Sequence, residues 1–468
     1  MTEKTPVRPD NWSQLSHEQK RGLRLKWLAD TAKGIKFVSQ DAEKNYKIKL
    51  QRLIDVYSIR EPDRVPVNIS AGVVPLYASG IDYHTAIYDY EKAVEAFARF
   101  NEEHGIELDN YFVPAIFPAR VVDKLDYRLY AWPGRGIPES AAGYQFNEGE
   151  YMKADEYDAF IRNPSDFWMR TYLPRLFGAF EPLGKVGPIT DILEFPIGSL
   201  MPLSRPDVQA TLRKLLDAGK ELARFGKITG DFIRKVQEKG YLTPSAMNVA
   251  HAPFDTLGDT LRGTQAIIKD MFRRPDKLLE ALDATADLTI SSILGSANAA
   301  RAFRVWFPLH KGADGWMSQK QFDTFYFSPL KKVMDAFINE GYIITLFAEG
   351  SFDTRLERFT DFPKGTVHWQ FDRTDMARAK KLLGGKFSLE GNVPSSLLTT
   401  GNPKDVKELC RKLIEVCGMG GGYILAGGAS VSNPKVDNLK AMVEATKEYG
   451  VYGERELAGQ DDLFVSGY

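Results

Sequence analysis

The sequence predicts an α/β protein folded as a (β/α)8 barrel. Three apolar runs, at residues 303–309, 342–348 and 366–371, are rich in β-branched and aromatic residues and are too short for helices. Each run ends in polar residues and is followed by a helical pattern, which is typical of parallel β/α units. Five further runs bring the total to eight, the number of strands that closes a barrel around its own side chains. A doubly wound open sheet is the alternative, but the glycine-rich dinucleotide fingerprint of that fold does not follow the first strand.

The composition gives no sign of a strongly charged partner. Of the 468 residues, 61 are basic and 62 acidic, so the net charge of -1 gives no reason to expect nucleic acid or an anionic membrane. The two cysteines, Cys410 and Cys417, lie seven residues apart in one predicted helix and cannot form a disulfide within it. The first residues lack the apolar segment of a secretory signal, and no apolar run approaches the roughly 18–20 residues of a membrane span. We therefore expect a cytoplasmic protein.

Residues 1–60 are predicted to form an N-terminal helical arm. One helix covers residues 16–28 with Ser16 as its cap, and a second covers residues 41–57. The basic residues of the arm are interpreted as a solvated helical face, because the excess charge does not extend over the whole chain. We expect the arm to pack on the barrel or on a second subunit, which would make a homodimer.

The barrel is predicted to span residues 61–455, with a C-terminal tail at 456–468. Its eight strands in chain order are residues 64–70, 110–115, 245–251, 303–309, 342–348, 366–371, 386–390 and 422–426. A single amphipathic helix is predicted at 85–104, and the last helix at 436–449. Another helix begins with Asn402 as its cap and Pro403 in its first turn, and it stops at Gly418.

The distance between the second and third strands predicts an insertion at about 116–240. Residues 116–150 are aromatic, glycine-rich and not helical in pattern, so we expect a small β excursion there. Residues 151–240 are predicted to be mainly helical. No motif identifies a role for the insertion, but its place in the chain predicts that it shapes the ligand pocket.

Ligands of parallel β/α folds bind outside the carboxyl ends of the strands. His310, Glu349 and Asp372 follow three successive predicted strands, so we expect them to converge as the catalytic group. His310 is a candidate general acid, general base or metal ligand, and a hydrogen-bonded residue at the rim is the plain alternative. Glu349 follows an apolar run, where a carboxylate must be paired, metal-bound or protonated. Asp372 is either catalytic or paired with Arg373 in an internal ion pair.

Further residues near the strand ends are candidate substrate-binding groups, although several also have a structural interpretation. Asn392 could orient a substrate oxygen or cap the following turn, and His251 could be catalytic or structural. The aromatic residues near the strand ends predict an apolar or aromatic ligand pocket, whereas His368 is interpreted as a satisfied core histidine. The predicted substrate-binding set is Lys311, Asn392, His251, Trp316, Phe347 and Tyr77, and the wider aromatic group is Trp306, Trp316, Phe347, Phe352 and Trp369.

Five motifs carry a resemblance to a known family. They are Glu61-Pro-Asp-Arg-Val-Pro66, His251-Ala-Pro-Phe-Asp-Thr-Leu257, Gly391-Asn-Val-Pro394, Gly422-Tyr-Ile-Leu-Ala-Gly-Gly428 and the closing segment at 438–450. In this order they resemble the uroporphyrinogen decarboxylase superfamily, over roughly residues 50–450. The resemblance implies a (β/α)8 barrel, which is also the fold that the strand count predicts.

The superfamily has two main branches, and the matching residues distinguish between them. The decarboxylase branch binds propionate carboxylates through an arginine-rich segment after strand one, but the matching residues 68–77 contain no arginine. Thiol-activating members of the corrinoid-linked methyltransferase branch hold zinc with a His-x-Cys pair and a further Cys. The matching positions here are Phe347-Ala348-Glu349 and Gly428-Ala429, so only Glu349 could still ligate, as an oxygen donor. The sequence is therefore more similar to members that demethylate O- or S-methyl substrates for a corrinoid protein.

The resemblance implies a methyltransferase that moves a methyl group from a small O- or S-methyl donor to cobalamin carried by a partner protein. His310 or Glu349 would supply a proton, or together hold a metal ion such as zinc, to improve the leaving oxygen or sulfur. The alternative is a decarboxylase or related lyase acting on a small carboxylic acid, in which Lys311 or Arg373 would stabilise the developing carbanion. A third hypothesis is a barrel kept as a non-catalytic binding or scaffold protein.

Overall fold

The computed structural model contains ten β-strands within the residues that it describes, which are 8–104, 109–114, 116–188, 194–195, 197–243, 248–299, 302–428 and 431–453. In chain order the strands are β1 (Val67–Asn68), β2 (Tyr130–Pro133), β3 (Gly136–Ile137), β4 (Gln145–Phe146), β5 (Asn248–Val249), β6 (Arg304–Leu309), β7 (Ile343–Ala348), β8 (Val367–Phe371), β9 (Ser388–Glu390) and β10 (Tyr423–Ala426). Seven of them form a parallel sheet in the order β1-β10-β9-β8-β7-β6-β5, and the other three form a small sheet in the order β3-β2-β4. The protein is therefore mixed α/β, with the strand order of a barrel-like parallel sheet.

The longest strands end side by side. Leu309 ends β6 level with Ala348 of β7, and Ala348 is level with Phe371 of β8. Because these strands are parallel, the residues that directly follow them lie at one edge of the sheet, as the sequence predicted.

The predicted second strand is not formed in the described part of residues 110–115, which excludes Ala115. Asn110 forms an isolated parallel bridge with Leu242, and the Tyr111 N–H donates to the Leu242 carbonyl at 2.7 Å. Pro114 has no N–H to donate, which limits the ladder that this segment can form. The large sheet therefore has seven strands among the described residues instead of the predicted eight. The third strand is present as β5, and the first residues predicted for it lie outside the described chain.

Helices cover much of the remaining described chain. The α-helices are His17–Asp30, Gln40–Tyr57, Val74–Ala78, Tyr83–Tyr88, Tyr90–His104, Ala119–Leu125, Tyr157–Arg162, Pro164–Phe167, Leu173–Leu176, Pro206–Glu238, Pro253–Asp255, Thr264–Arg273, Pro275–Ala299, Gln319–Gln321, Ser328–Asn339, Met376–Leu383, Ser395–Thr400, Pro403–Cys417 and Val436–Tyr449. Wider π-helical turns are Trp168–Tyr172, Thr256–Leu261 and Phe322–Phe327, and the tighter 3-10 turns are Trp12–Gln14, Thr31–Gly34, Gly178–Lys185, Gly198–Ser204 and Leu356–Phe359. The two predicted C-terminal helices are confirmed. None of the described helices is both long and apolar enough to cross a membrane.

One predicted helix is divided in two. The expected helix at 85–104 is formed as Tyr83–Tyr88 and Tyr90–His104, with a break at Asp89. The Asp89 carboxylate accepts the backbone N–H of Lys92 at 3.1 Å, which is how an aspartate caps the start of a new helix.

The region predicted to be an insertion contains both kinds of element. The small sheet of β2, β3 and β4 confirms the expected β excursion, but the helix Ala119–Leu125 shows that the expectation of no helix there was wrong. The second part is mainly helical, as predicted, and ends in the long helix Pro206–Glu238.

A buried polar network links three strands of the large sheet. Glu390 of β9 accepts hydrogen bonds from Asn68 of β1 at 2.7 Å and from Gln370 of β8 at 3.1 Å. Its carboxylate also lies 2.9 Å from His368 Nε2, and the other ring nitrogen of His368 lies 2.9 Å from the Ser388 hydroxyl. His368 is fully buried with both nitrogens partnered, which confirms its interpretation as a satisfied core histidine.

The predicted aromatic group is divided between the two faces of the sheet. Trp306 stacks on Phe347 at 5.7 Å and donates its indole N–H to Gln370, so this pair lies on the face of the polar network. Trp369 is adjacent to His368 in β8 and therefore points to the opposite face. There it is fully buried and meets Phe352 with ring centroids 6.4 Å apart. The prediction that Phe352 and Trp369 belong to the pocket was wrong, because both pack in the core behind the sheet.

The N-terminal arm packs on the sheet domain near the amino ends of β6 and β7. The buried Arg24 guanidinium donates to the carbonyl of Ala302 at 3.1 Å and to that of Glu340 at 2.9 Å. Tyr57, at the end of the second arm helix, meets Phe303 with ring centroids 5.3 Å apart. The arm therefore packs on the main domain, which is one of the two sites predicted for it, while packing on a second subunit stays a prediction.

Asp109 gives a first test, because its buried carboxylate joins β1 to the arm. It accepts the Val67 N–H at 2.8 Å and pairs with Arg64 at 3.0 Å and with Arg52. Asp109→Asn should lower the free energy of unfolding by about 3 kcal/mol, since it leaves the buried Arg52 and the partly buried Arg64 beside a neutral amide. Urea denaturation would measure this. The matched control is Asp335→Asn, which removes an exposed helical ion pair and should cost less than about 0.5 kcal/mol; similar losses in the two variants would contradict the assignment.

Candidate functional site

His310 directly follows β6 and directs its ring at Asp259. His310 Nδ1 lies 2.6 Å from Asp259 Oδ2. Asp259 stands on the helical turn Thr256–Leu261, which follows β5. The side chains are 33% and 16% exposed, so the pair sits at the boundary between the core and solvent. One ring nitrogen is therefore held by a carboxylate, while Nε2 lies 3.9 Å from Glu349 Oε1.

Asp255 fixes the backbone that carries His310. Its carboxylate is fully buried and accepts the backbone N–H groups of His310 at 3.1 Å and of Lys311 at 2.9 Å. It also accepts the hydroxyl of Tyr326 at 2.6 Å. Burial, reinforced by the charge of Asp259, raises the pKa of Asp255 to about 6. Three donors from two segments thus hold one carboxylate below the site.

Lys311 lies under the site instead of in it. The residue is only 5% exposed, and its ammonium forms an ion pair with Asp259 Oδ1. A Cβ atom at Gly258 would lie 2.9 Å from Lys311 Cδ, so the close packing of the lysine stem depends on this glycine. The ammonium also lies 5.4 Å from the ring centre of Trp316, within the range of a cation–π contact. Asp259 is therefore shared between two basic side chains.

The neighbouring charges set the protonation states of the His310–Asp259 pair, which is called the dyad below. Burial lowers the pKa of His310, but the hydrogen bond to Asp259 and the charges of Asp255, Asp259 and Glu349 outweigh it and raise that pKa to about 9. Burial raises the pKa of Asp259, but His310 and Lys311 more than offset this and hold the pKa below its usual range. At neutral pH the dyad is an imidazolium paired with a carboxylate. Burial and the nearby His310 charge lower the pKa of His251.

The other two predicted catalytic carboxylates lie next to the dyad. The Glu349 side chain is 47% exposed, and its partial burial raises its pKa. The charge of His310 opposes this shift, and the charges of Asp372 and Asp259 add to it. Asp372 accepts the N–H of Gly350 at 3.0 Å, which ties the loop after β8 to the loop after β7. The ion pair predicted with Arg373 is formed at 3.4 Å, although the Arg373 side chain is 80% exposed. His310, Glu349 and Asp372 therefore lie at one edge, while their catalytic roles stay predictions.

Three residues at this edge form a candidate metal-binding group. One ligand atom each from His251, Asp259 and His310 lies within 4.8 Å of the other two. Two imidazole nitrogens and a carboxylate oxygen are a donor set that zinc accepts. The sequence predicted His310 as a ligand but paired it with Glu349, and did not foresee Asp259. Because Asp259 already binds His310 and Lys311, a metal ion would have to compete with the proton on His310.

The remaining predicted substrate-binding residues are found in different settings. The Asn392 amide donates to the Thr374 carbonyl at 2.8 Å, a contact that holds the loop after β9. Trp316 is 41% exposed, and Tyr77 is 42% exposed on the helix that follows β1. Phe347 is half-buried against Trp306. Roles in substrate binding for these residues, and for His251 and Lys311, stay predictions.

The sequence interpretation missed the two aspartates that organise the site. Asp255 and Asp259 are four residues apart, a spacing that places both on one side of a helical turn. They also follow His251 and the predicted third strand, so strand-end position could have identified them. Tyr326, the third donor to Asp255, carries no comparable signal, because it lies within a later helical segment.

The family comparison matches the second half of the chain. Residues 204–449 match the model of the family described as Uroporphyrinogen decarboxylase (URO-D). This range contains β5 to β10 and the dyad.

Curated relatives and one solved structure extend the comparison. A uroporphyrinogen decarboxylase of Actinobacillus succinogenes is 25% identical over 201 residues, which cover 41% of this chain and 54% of that protein. The enzyme of the same name from Dichelobacter nodosus is 27% identical over 175 residues, 37% of this chain and 48% of that one. The chain thus spans about half the length of the curated relatives it matches. A structure titled methyltransferase from Methanosarcina mazei has a TM-score of 0.54 and 17% identity, and the match covers 86% of this chain and 98% of that one. At this identity the likeness shows a shared fold.

Asp259→Asn tests the charge coupling. It should lower the pKa of His310 from about 9 by roughly 1–3 units, as measured by NMR titration of the ring protons. The raised pKa stabilises the wild-type fold below about pH 6.5, the ordinary value, and this contribution is lost as the pH rises through about 9. The wild-type free energy of unfolding should therefore fall across this window by roughly 1–2 kcal/mol after solvent screening, and the fall should be smaller in the variant.

The control for this titration is Asp353→Asn at the same edge of the sheet. Its carboxylate accepts a hydrogen bond from the Ser351 hydroxyl at 2.7 Å and is not among the groups that shift the pKa of His310. A His310 titration unchanged by Asp259→Asn, or lowered equally by both substitutions, would contradict the proposed coupling.

Proposed function

Because the chain belongs to the uroporphyrinogen decarboxylase family, we propose that it is an enzyme that transfers a methyl group from a small O- or S-methyl donor to a corrinoid carried by a partner protein. The observation that carries this proposal is the His310–Asp259 dyad at the carboxyl edge of the sheet. It presents a cationic acid whose Nε2 is turned away from Asp259 toward Glu349.

An acid at this position supplies what methyl transfer from oxygen or sulfur requires. When the methyl–heteroatom bond breaks, the methyl group passes to the acceptor and the heteroatom keeps the bonding electrons. A proton from His310 Nε2 converts this leaving group to a neutral alcohol or thiol. Asp259 orients the ring through Nδ1 and stabilises its charged form, so the acid is protonated at neutral pH. Glu349, beside Nε2, is placed to accept a hydrogen bond from the same donor or to return the proton.

Methyl transfer is compatible with the fold, which is shared with the Methanosarcina mazei methyltransferase. One further observation counts against porphyrinogen decarboxylation. The segment 68–77 contains no arginine, so that it offers no guanidinium to pair with the carboxylates of a porphyrinogen.

Decarboxylation of a smaller acid is the second candidate function. The curated relatives are decarboxylases, and an imidazolium could protonate a carbanion as well as a leaving oxygen. Of the two cations predicted to stabilise that carbanion, Lys311 is buried against Asp259, and Arg373 is exposed. Arg373 is thus the group of these two that a carboxylate substrate could reach directly.

A metal ion is compatible with the same residues. His251, Asp259 and His310 would hold zinc, which when bound would supply a Lewis acid for the leaving heteroatom. Lys311 holds Asp259 in place in either case.

We further propose a cytoplasmic location, because Cys410 and Cys417 are both buried and unpaired, as suits a reducing compartment. A homodimer stays a prediction from the sequence.

His310→Asn tests the acid. Cob(I)alamin in solution is used as the methyl acceptor with a panel of small methyl ethers and thioethers, and formation of methylcobalamin is followed by absorbance. The variant should lose at least about 100-fold in rate, because proton transfer to the leaving group is removed. The loss should shrink as the leaving group becomes more acidic, since such donors need less protonation.

His104→Asn is the matched control, because His104 packs against Phe100, with ring centroids 4.4 Å apart, in a helix outside the site. Carbon dioxide release from small carboxylic acids is measured in parallel. A loss in His310→Asn that does not depend on the leaving group would contradict its role as an acid. Release of carbon dioxide without methyl transfer would instead favour the decarboxylase.

Zinc content tests the metal group independently of activity. Protein equilibrated with zinc and passed through a desalting column should retain about one ion per chain at pH 10 and less at pH 7, because the proton on His310 competes below about pH 9. His251→Ala should abolish retention, while His104→Ala should not. Retention that is lost in Glu349→Ala but kept in His251→Ala would favour the ligand pair predicted from the sequence. Failure of the wild type to retain zinc at either pH would rule out the group.

A further inference from the structure

A cavity of about 500 Å³ lies beside the acid–base centre, the charged group of His310, Asp259, Glu349 and Asp372. The proton transfer proposed for these charged residues assigns the cavity no role. It is lined by β5, the helix Pro275–Ala299 and the turns Pro164–Phe167 and Trp168–Tyr172 from the predicted insertion. Its volume lies within the range of small-molecule sites in proteins.

The wall of the cavity is mainly apolar, and its polar members are hydroxyl side chains and His251. Among the described residues that line it, there is no aspartate, glutamate, lysine or arginine. The hydroxyls of Thr285 and Thr289 donate to helix carbonyls at 2.7 and 2.8 Å, so they offer a ligand no free donor. The main apolar contributors are Phe160, Trp168, Leu173, Leu261, Leu288 and Ile293.

The cavity runs from the surface toward the site. Met169 and Val249, which are 40% and 43% exposed, lie where it meets solvent. Leu261 and Thr285, which are 0% and 3% exposed, lie at its inner side. A ligand would therefore enter past Met169 and be enclosed as it moves inward.

His251 joins the cavity to the acid–base centre. It lines the cavity, and its ring centre lies 5.9 Å from that of His310. A molecule whose body fills the cavity and whose polar end reaches His251 would thus place that end within one imidazole ring of the proton donor.

We propose that this cavity binds the body of the methyl donor, and that the donor is neutral and largely apolar, of the class of aryl methyl ethers or thioethers. The inference rests on the proposed function and adds the substrate class. A charged donor would be buried without a partner, which is costly. The rings of Phe160 and Trp168 and the thioether of Met169 are suited to pack against an aromatic ring.

The test compares the binding of a neutral and an anionic probe of similar shape. Methoxybenzene and 4-methoxybenzoate are titrated into the full chain and followed by saturation-transfer NMR. The neutral probe should bind at least about ten-fold more tightly, since the anion would bury an unpaired charge. Thr289→Trp, which fills the cavity from the helix Pro275–Ala299, should weaken binding of methoxybenzene at least about ten-fold.

Two further variants separate an effect on binding from a loss of the fold. Ser291→Trp places the same side chain at an exposed position of the same helix and should leave binding unchanged. Met169→Trp narrows the mouth and should weaken binding even if Thr289→Trp fails to fold, which thermal denaturation would reveal. Equal binding of the two probes, or binding unaffected by both cavity variants, would overturn the inference.

The outcomes separate this inference from the proposed function. If methoxybenzene binds and is lost in the cavity variants while no methyl donor is turned over, the cavity assignment as an aryl-ether site stands and the methyltransferase proposal fails. If small aliphatic donors are turned over and the aryl probes do not bind, the proposed function stands and the substrate class is wrong.

Discussion

The site depends on one buried carboxylate. Asp255 has no contact with solvent, and such a charge is tolerated only when its hydrogen-bonding capacity is filled. The backbone of His310 and Lys311 and the hydroxyl of Tyr326 fill it. Meeting that requirement fixes the loop after β6 against the turn after β5. The side chains of His310 and Lys311 are then placed to contact one oxygen each of Asp259. The position of the acid, His310, therefore follows from the hydrogen bonds that the buried Asp255 carboxylate requires.

The same arrangement balances charge at the edge of the sheet. Two carboxylates, Asp255 and Asp259, face one ammonium and one imidazolium, Lys311 and His310, which lie more than 50 residues further along the chain. Removing the proton from His310 would leave this cluster with excess negative charge, which is why the ring holds its proton at neutral pH. The apolar cavity begins on the other side of His251. Charged and uncharged surfaces therefore meet at a single imidazole.

The sequence predicted what local pattern determines. Apolar runs located most of the strands, caps located the ends of two helices, and the strand-end rule located His310, Glu349 and Asp372 at one edge. It failed where the outcome depends on distant partners. Asp259 acquires its role from residues more than 50 positions away. Trp306 and Trp369 both lie in short apolar runs of the sequence, but the alternation of side chains along each strand places them on opposite faces of the sheet. The strand expected at 110–115 is not formed in its described residues 110–114, where Pro114 has no N–H for the ladder and Asn110 forms only an isolated bridge.

The two parts of the site come from different stretches of chain. The acid–base centre is built from His251 to Asp372, a run of successive β/α units. The cavity needs in addition the helical turns near Trp168, which belong to the segment between the arm and β5. Changes in that segment can therefore alter which molecules are admitted while leaving the proton chemistry untouched. Descendants of one ancestral barrel could in this way diversify in substrate through a replaceable segment, with the acid inherited unchanged.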